Sequence, residues 1–174
     1  TMPRVNTECL SSRFARLAAM IELSRNSVYT VKTMKKFLCQ LALMGFNTAY
    51  LYMEDTYELP GYPYFGYRRG RYSVAEQKEL DDFAHDLGIE LVPCIQTLAH
   101  LRTAIRWNYM EPMRDTVDNL MVGHGETVKL VEAMIAHFSR TFRSRRIHLG
   151  MDEAVSLGTG RYLRYQGYRS HRDI

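Results

Sequence analysis

Cysteine is scarce in this 174-residue chain. Cys9, Cys39 and Cys94 are all it has, an odd number set far apart, with no C-x-x-C pair and no histidine at ligand spacing. Nothing points to a disulfide framework or a zinc site, and free thiols in a reducing compartment are expected. No apolar run approaches the roughly 18 residues that a membrane span needs. The amino-terminal stretch lacks the charged, apolar and small-residue zones of a signal peptide, so the expectation is a cytoplasmic protein with no membrane partner. Charge of one sign is also lacking: Lys+Arg 23 against Asp+Glu 19 leaves a net +4. The excess gathers late, in Arg140, Arg143, Arg145, Arg146, Arg161, Arg164, Arg169 and Arg172. No RNP, KH or helix-turn-helix signature accompanies it, and no nucleic-acid partner is expected.

What is present suffices for a core, since 46% of the residues are hydrophobic and 24% charged. Residues 18–21 read as a short buried strand. Val31, Met34, Phe37, Leu38, Leu41 and Met44 then recur at three- and four-residue steps, which gives a helix with one apolar face that Gly45 stops. Residues 48–52 are a second strand. Ser73 and Glu76 form a capping box opening a helix with Leu80, Phe83, Ala84 and Leu87 on its inner face. Residues 89–95 make strand three, with Pro93 near its end. A third helix carries Val128, Val131, Ile135 and Phe138, and residues 146–149 make strand four. Strands alternating with helices imply parallel pairing and right-handed crossovers, so the class is α/β. A full (β/α)8 barrel takes about 250 residues, so four units amount to either a small open sheet or half a barrel.

Four strand ends each deliver a polar residue. Asp152 and Glu153 follow strand four, where one carboxylate could hold a substrate group while the other trades a proton; equally, Asp152 could cap a following helix with Glu153 in its first turn. Arg25, past strand one, suits bidentate contact with a diol or carboxylate, or a surface ion pair with Glu22 or Glu54. Asp55 ends strand two. His100 lies past strand three as a catalytic or a purely structural hydrogen-bonding group. The loop from Tyr57 to Tyr67, with five aromatic residues, could stack on sugar rings or bases, or fold on itself as a lid.

At these residues the chain resembles glycoside hydrolase family 20, the β-N-acetylhexosaminidases, in its bacterial β-N-acetylglucosaminidase branch. The matching stretches are residues 20–25, 50–55, 93–100 and above all His148-Leu149-Gly150-Met151-Asp152-Glu153-Ala154. The resemblance runs from about Phe14 to Tyr168 and implies a TIM (β/α)8-barrel fold. Residues 1–174 would be one partial domain holding about the first four β/α units. It implies exo-hydrolysis of terminal β-linked GlcNAc or GalNAc from glycans, with the substrate's own acetamido oxygen as nucleophile and neither cofactor nor metal. Asp152 would orient the acetamido N–H and Glu153 act as general acid and base. Arg25 would grip sugar hydroxyls, and Asp55 and His100 line the pocket or support the acid. The remaining half-barrel would come from further sequence or through self-association.

Overall fold

The computed structural model describes residues 13–174, so Cys9 lies outside the described residues, while Cys39 and Cys94 are free thiols. The elements run β1 (Ala18–Glu22), α1 (Val31–Leu43), β2 (Thr48–Met53), α2 (Val74–Asp86), β3 (Glu90–Ile95), a 3-10 turn (Asn108–Met113), α3 (Gly125–Thr141) and α4 (Arg161–Gln166). The sheet is parallel in the order β1-β2-β3, with Ala18 opposite Thr48 and Thr48 opposite Glu90. No described helix is long and apolar enough to cross a membrane.

Strand alternation divides the sheet into two faces. Ala49, Leu51 and Met53 of β2 and Leu91 and Ile95 of β3 are buried in the main core with Met34 and Leu38 of α1, Leu80 and Ala84 of α2 and Leu130, Met134 and Phe138 of α3. The intervening residues, Met20 and Glu22 of β1, Tyr50 and Tyr52 of β2, and Val92 and Cys94 of β3, belong to the other face, and Gln96 continues their phase.

Local rules account for the helix ends. Thr30 caps α1 by accepting from the Thr33 N–H, and Gly45 at φ +85° ends it in the left-handed conformation that a side chain disfavours. The Ser73–Glu76 capping box of α2 forms as read. The expected inner face of α3 is met in part, at Phe138 in the core and Val131 packed against it. Its buried ridge is Thr127, Leu130, Met134, His137, Phe138 and Thr141, whereas Val128 is exposed. An apolar count passes over Thr127, His137 and Thr141, which are buried here. His137 Nε2 bonds Gln77 Oε1 at 2.8 Å and the Thr141 hydroxyl donates to the His137 carbonyl.

The fourth strand expected at residues 146–149 is instead a single parallel bridge, Cys94 to His148. The His148 N–H donates to the Pro93 carbonyl at 2.9 Å and the Ile95 N–H to the His148 carbonyl at 2.9 Å. Growth toward Arg146 would need an N–H on residue 93, which proline lacks, and the Arg146 carbonyl accepts from the Ser144 hydroxyl instead. On the other side the Gly150 N–H donates to His148 Nδ1, while the Thr97 N–H still donates to the Gly150 carbonyl at 3.1 Å. The ladder thus continues past His148 by one further bond and is cut off on the Arg146 side. Pro93→Ala should therefore gain a protected amide at position 93 with a stability change within about 1 kcal/mol, because the new hydrogen bond offsets the lost proline constraint. Hydrogen exchange at an unprotected rate there would show that something other than Pro93 ends the ladder.

Candidate active site

The carboxyl ends of the strands gather the polar groups on the face turned away from the helices. Glu22 closes β1, and its Oε1 accepts the Ser24 N–H at 2.7 Å and the Arg25 N–H at 3.3 Å, which folds the chain back over the strand end. Its Oε2 pairs with Arg25 Nη1 at 2.5 Å. The Arg25 guanidinium also lies 5.1 Å from the centre of the Tyr52 ring. The surface-pair reading of Arg25 is thus met, and the pair stands at the rim of the site. Its hydrogen bond to Glu22 foremost, helped by the charge on Glu54, pushes the guanidinium further above its usual range.

From β2, the Glu54 N–H donates to Ser24 Oγ at 2.7 Å, tying the first two strand ends together. Burial pushes the Glu54 carboxyl up; Arg25 and His100 pull it back, while Asp55 and Glu22 add to the rise. The Tyr52 hydroxyl donates to Glu54 Oε1 at 3.4 Å, and burial followed by the Glu54 charge pushes Tyr52 up to about 12, so it stays a neutral donor. From β3, Gln96 Nε2 donates to the Tyr52 hydroxyl oxygen at 3.1 Å and to Asp152 Oδ1 at 3.3 Å. Beneath these, burial, then Asp152 and Glu22, raise the Cys94 thiol to about 11, so it is an inert neutral group.

Asp152, Glu153 and His100 converge. His100 Nε2 stands 3.6 Å from Asp152 Oδ2 and 3.4 Å from Glu153 Oε2. The side chain of His100 is 16% exposed, against 58% for Asp152 and 74% for Glu153, so the carboxylates open outward from a covered imidazole. Partial burial is the largest single influence on Asp152 and opposes its ionisation. Its own backbone N–H, Gln96, His100 and His148 together outweigh burial, and the carboxyl lies below the usual range. No helix follows that Asp152 could cap, since the chain turns until α4 begins at Arg161. His100 and Glu153 both hold positive φ, +56° and +53°, a conformation that costs a non-glycine residue energy and is concentrated at functional sites.

Asp55 does not join this group. It is 1% exposed and its Oδ1 accepts from Arg69 Nε at 3.0 Å, while Arg69 Nη2 donates to the Ser24 carbonyl. Asp55 therefore locks the loop after β2 against the loop after β1, one position beyond Glu54, which faces the site. Sequence reasoning passed over Gln96 and Tyr52 and named Glu22 and Glu54 only as ion-pair partners for Arg25. The signal available for them was strand phase, because Tyr52 and Gln96 alternate with the core residues Leu51, Met53 and Ile95. Arg69 offered no such signal, being 14 residues from Asp55 and 45 from Ser24. The aromatic loop forms a partly exposed cluster in which Tyr64 contacts Tyr67, Trp107 and Tyr109 at 5.5–5.7 Å between ring centres. Among the described residues no group of three or more His, Cys, Asp and Glu side chains is placed to hold a metal ion. A cleft of about 600 Å³ lies at the opposite end of the strands, where Arg143 pairs with Asp81 and Arg146 with Glu90, and contains none of these groups.

Solved structures share the fold of this chain. The family 20 exo-β-N-acetylglucosaminidase of Vibrio harveyi matches 91% of the chain with a TM-score of 0.79 at 17% identity. The β-hexosaminidase of Streptomyces plicatus, solved with thio-NAglucal, matches 83% with a TM-score of 0.73 at 23% identity. The fold is that of glycoside hydrolase family 20. A TIM-barrel-type α/β architecture follows, and the chain spans about a third of each solved chain, 31% and 34%. Among curated sequences, beta-hexosaminidase 3 of Arabidopsis thaliana is 24% identical over 153 residues, 81% of this chain and 28% of that protein. No protein-family model matches.

Scaffold and site carboxylates should separate in stability measurements. Asp55→Asn leaves Arg69 without its buried counter-charge and should cost about 3 kcal/mol in urea unfolding. Asp152→Asn, at an open position, should cost under about 1 kcal/mol. Equal losses would mean that Asp152 is part of the scaffold.

Proposed function

We propose that this chain carries the catalytic carboxylates of an exo-acting β-N-acetylhexosaminidase that releases terminal β-linked GlcNAc or GalNAc by substrate-assisted, retaining hydrolysis. The observation that carries the proposal is the convergence of Asp152, Glu153 and His100 at the carboxyl edge of a family 20 fold. Such folds keep their sites at that edge.

In this reading the acetamido oxygen of the sugar forms a bond to C1 as the glycosidic C–O bond breaks. Glu153 gives its proton to the departing oxygen. Asp152, kept ionised, accepts the acetamido N–H and stabilises the positive charge spreading over the oxazolinium. Glu153, now a carboxylate, takes a proton from water as the water oxygen attacks C1, and the ring reopens with retained configuration. His100 Nε2 faces both carboxylates, and Arg25 offers N–H groups to sugar hydroxyls. The exposed rings of Tyr64, Tyr67 and Tyr109 suit the apolar faces of further sugars of the glycan.

The chain would form the first four units of the barrel. The other units would come from further sequence or from a second copy meeting the edge of β1 that pairs with no other described strand. Studied alone, the 174-residue chain is expected to associate through that edge and to hydrolyse β-GlcNAc negligibly; light scattering showing an active monomer would overturn this placement.

In the protein with a whole barrel, Glu153→Gln should slow hydrolysis of natural glycans by roughly 10² to 10⁴ and of aryl β-GlcNAc much less, because a phenolate leaves with little protonation. Asp152→Asn should slow both by roughly 10² or more. Equal losses on the two substrate types for Glu153→Gln would remove its role as general acid.

A further inference from the structure

The contacts of Gln96 carry a consequence for Asp152. Two carboxylates, Glu54 and Asp152, stand at the ends of one hydrogen-bonded chain, with Tyr52 and Gln96 between them. Each end accepts, so the middle must supply donors in both directions. The Tyr52 hydroxyl spends its one proton on Glu54 and keeps an oxygen that accepts. The next group must then donate twice, to that oxygen and to Asp152 Oδ1, and a primary amide does so from a single nitrogen. Leu, Met or an ionised Glu at position 96 cannot. Rotating the amide would set Gln96 Oε1 against Oδ1, two acceptors facing, so the Tyr52 oxygen selects the orientation that serves Asp152.

The backbone makes room for this amide. Gly150 adopts φ +51°, and a Cβ there would collide with the Ile95 carbonyl oxygen and lie 2.7 Å from both Cδ and Oε1 of Gln96. The side chain of Gln96 thus passes through the space that the missing side chain leaves, two residues before Asp152. Gln96 is fully buried, and its Oε1 has no hydrogen-bond partner. A buried amide acceptor left unpaired is costly, and the arrangement persists with both N–H groups committed to Tyr52 and Asp152.

We propose that Gln96 is a positioning residue for Asp152: oriented by Tyr52, its amide holds Oδ1 and leaves Oδ2 directed to His100 and the substrate side. This rests on reading Asp152 as the carboxylate that meets the acetamido group. A donor to the ionised form lowers a carboxyl's titration midpoint, so removing it raises the midpoint and moves the acid limb of kcat/KM to higher pH.

The direct test is a carboxyl ¹³C titration of Asp152 in the 174-residue chain, its resonance assigned by its loss in Asp152→Asn. Gln96→Met, similar in length and without donors, should raise the midpoint by about one pH unit. Tyr52→Phe should raise it less, because the amide keeps its contact with Oδ1 and loses only its orienting acceptor. An unchanged midpoint in a folded Gln96→Met chain overturns the proposal. Should Gln96→Met fail to fold, the unmutated chain decides. The Gln96 side-chain NH₂ resonances should move at the midpoint of Asp152 and stop doing so in Asp152→Asn; NH₂ resonances indifferent to that titration overturn the proposal equally. These readings come from titration rather than turnover, so they settle the role of Gln96 even where the hydrolase reading fails.

Discussion

Parallel register aligns Glu22 with Tyr52 and Tyr52 with Cys94, and the polar groups of the site depend on that alignment. Because side chains alternate along a strand, slipping any one strand by a single residue would turn its site residue into the helix-facing core and bring a core residue out. The apolar face of the sheet enforces the register. Ala49, Leu51, Met53, Leu91 and Ile95 are nearly inaccessible to solvent, and displacing them costs far more than the few hydrogen bonds of the opposite face return. Packing on one side of the sheet thus positions chemistry on the other.

Charge is then distributed with some economy. Glu22, Glu54, Asp55, Asp152 and Glu153 all lie at one edge, and their mutual repulsion would protonate several of them were they left together. Asp55 is withdrawn to Arg69, and Glu22 is neutralised by Arg25. Glu54 accepts from a neutral hydroxyl and Asp152 from a neutral amide. His100 Nε2 stands 3.6 Å from Asp152 and 3.4 Å from Glu153. The strained backbones of His100 and Glu153 bring their side chains to a common point that regular strand geometry would not reach, which is the kind of local cost that a site accepts when its surroundings over-determine it.

Much of the architecture was legible in the sequence because it is written in short-range terms. The helical spacing of Met34, Leu38 and Leu41, the Ser73–Glu76 box, the stop at Gly45 and the apolar runs of the first three strands need only neighbours within a turn or two. The three-residue convergence of His100, Asp152 and Glu153 was also within reach, since each follows a strand or strand-like segment and the ends of parallel strands share an edge. Part of the buried ridge of α3 was not, because Thr127, His137 and Thr141 are polar, and an apolar count cannot register a polar residue that packing buries.

What the sequence determined by itself is therefore the α/β order, the first three strands and the edge at which the polar residues gather, all consequences of periodicity and turn chemistry. Tertiary structure alone decided which side chain does what at that edge. Whether the acidic group after β2 serves the site or the scaffold turns on Arg69, 14 residues from Asp55 along the chain. Whether residues 146–149 make a strand turns on Pro93, some fifty residues earlier. Such outcomes depend on hydrogen-bond donors present or missing across long separations, and the linear pattern around each residue carries no trace of them.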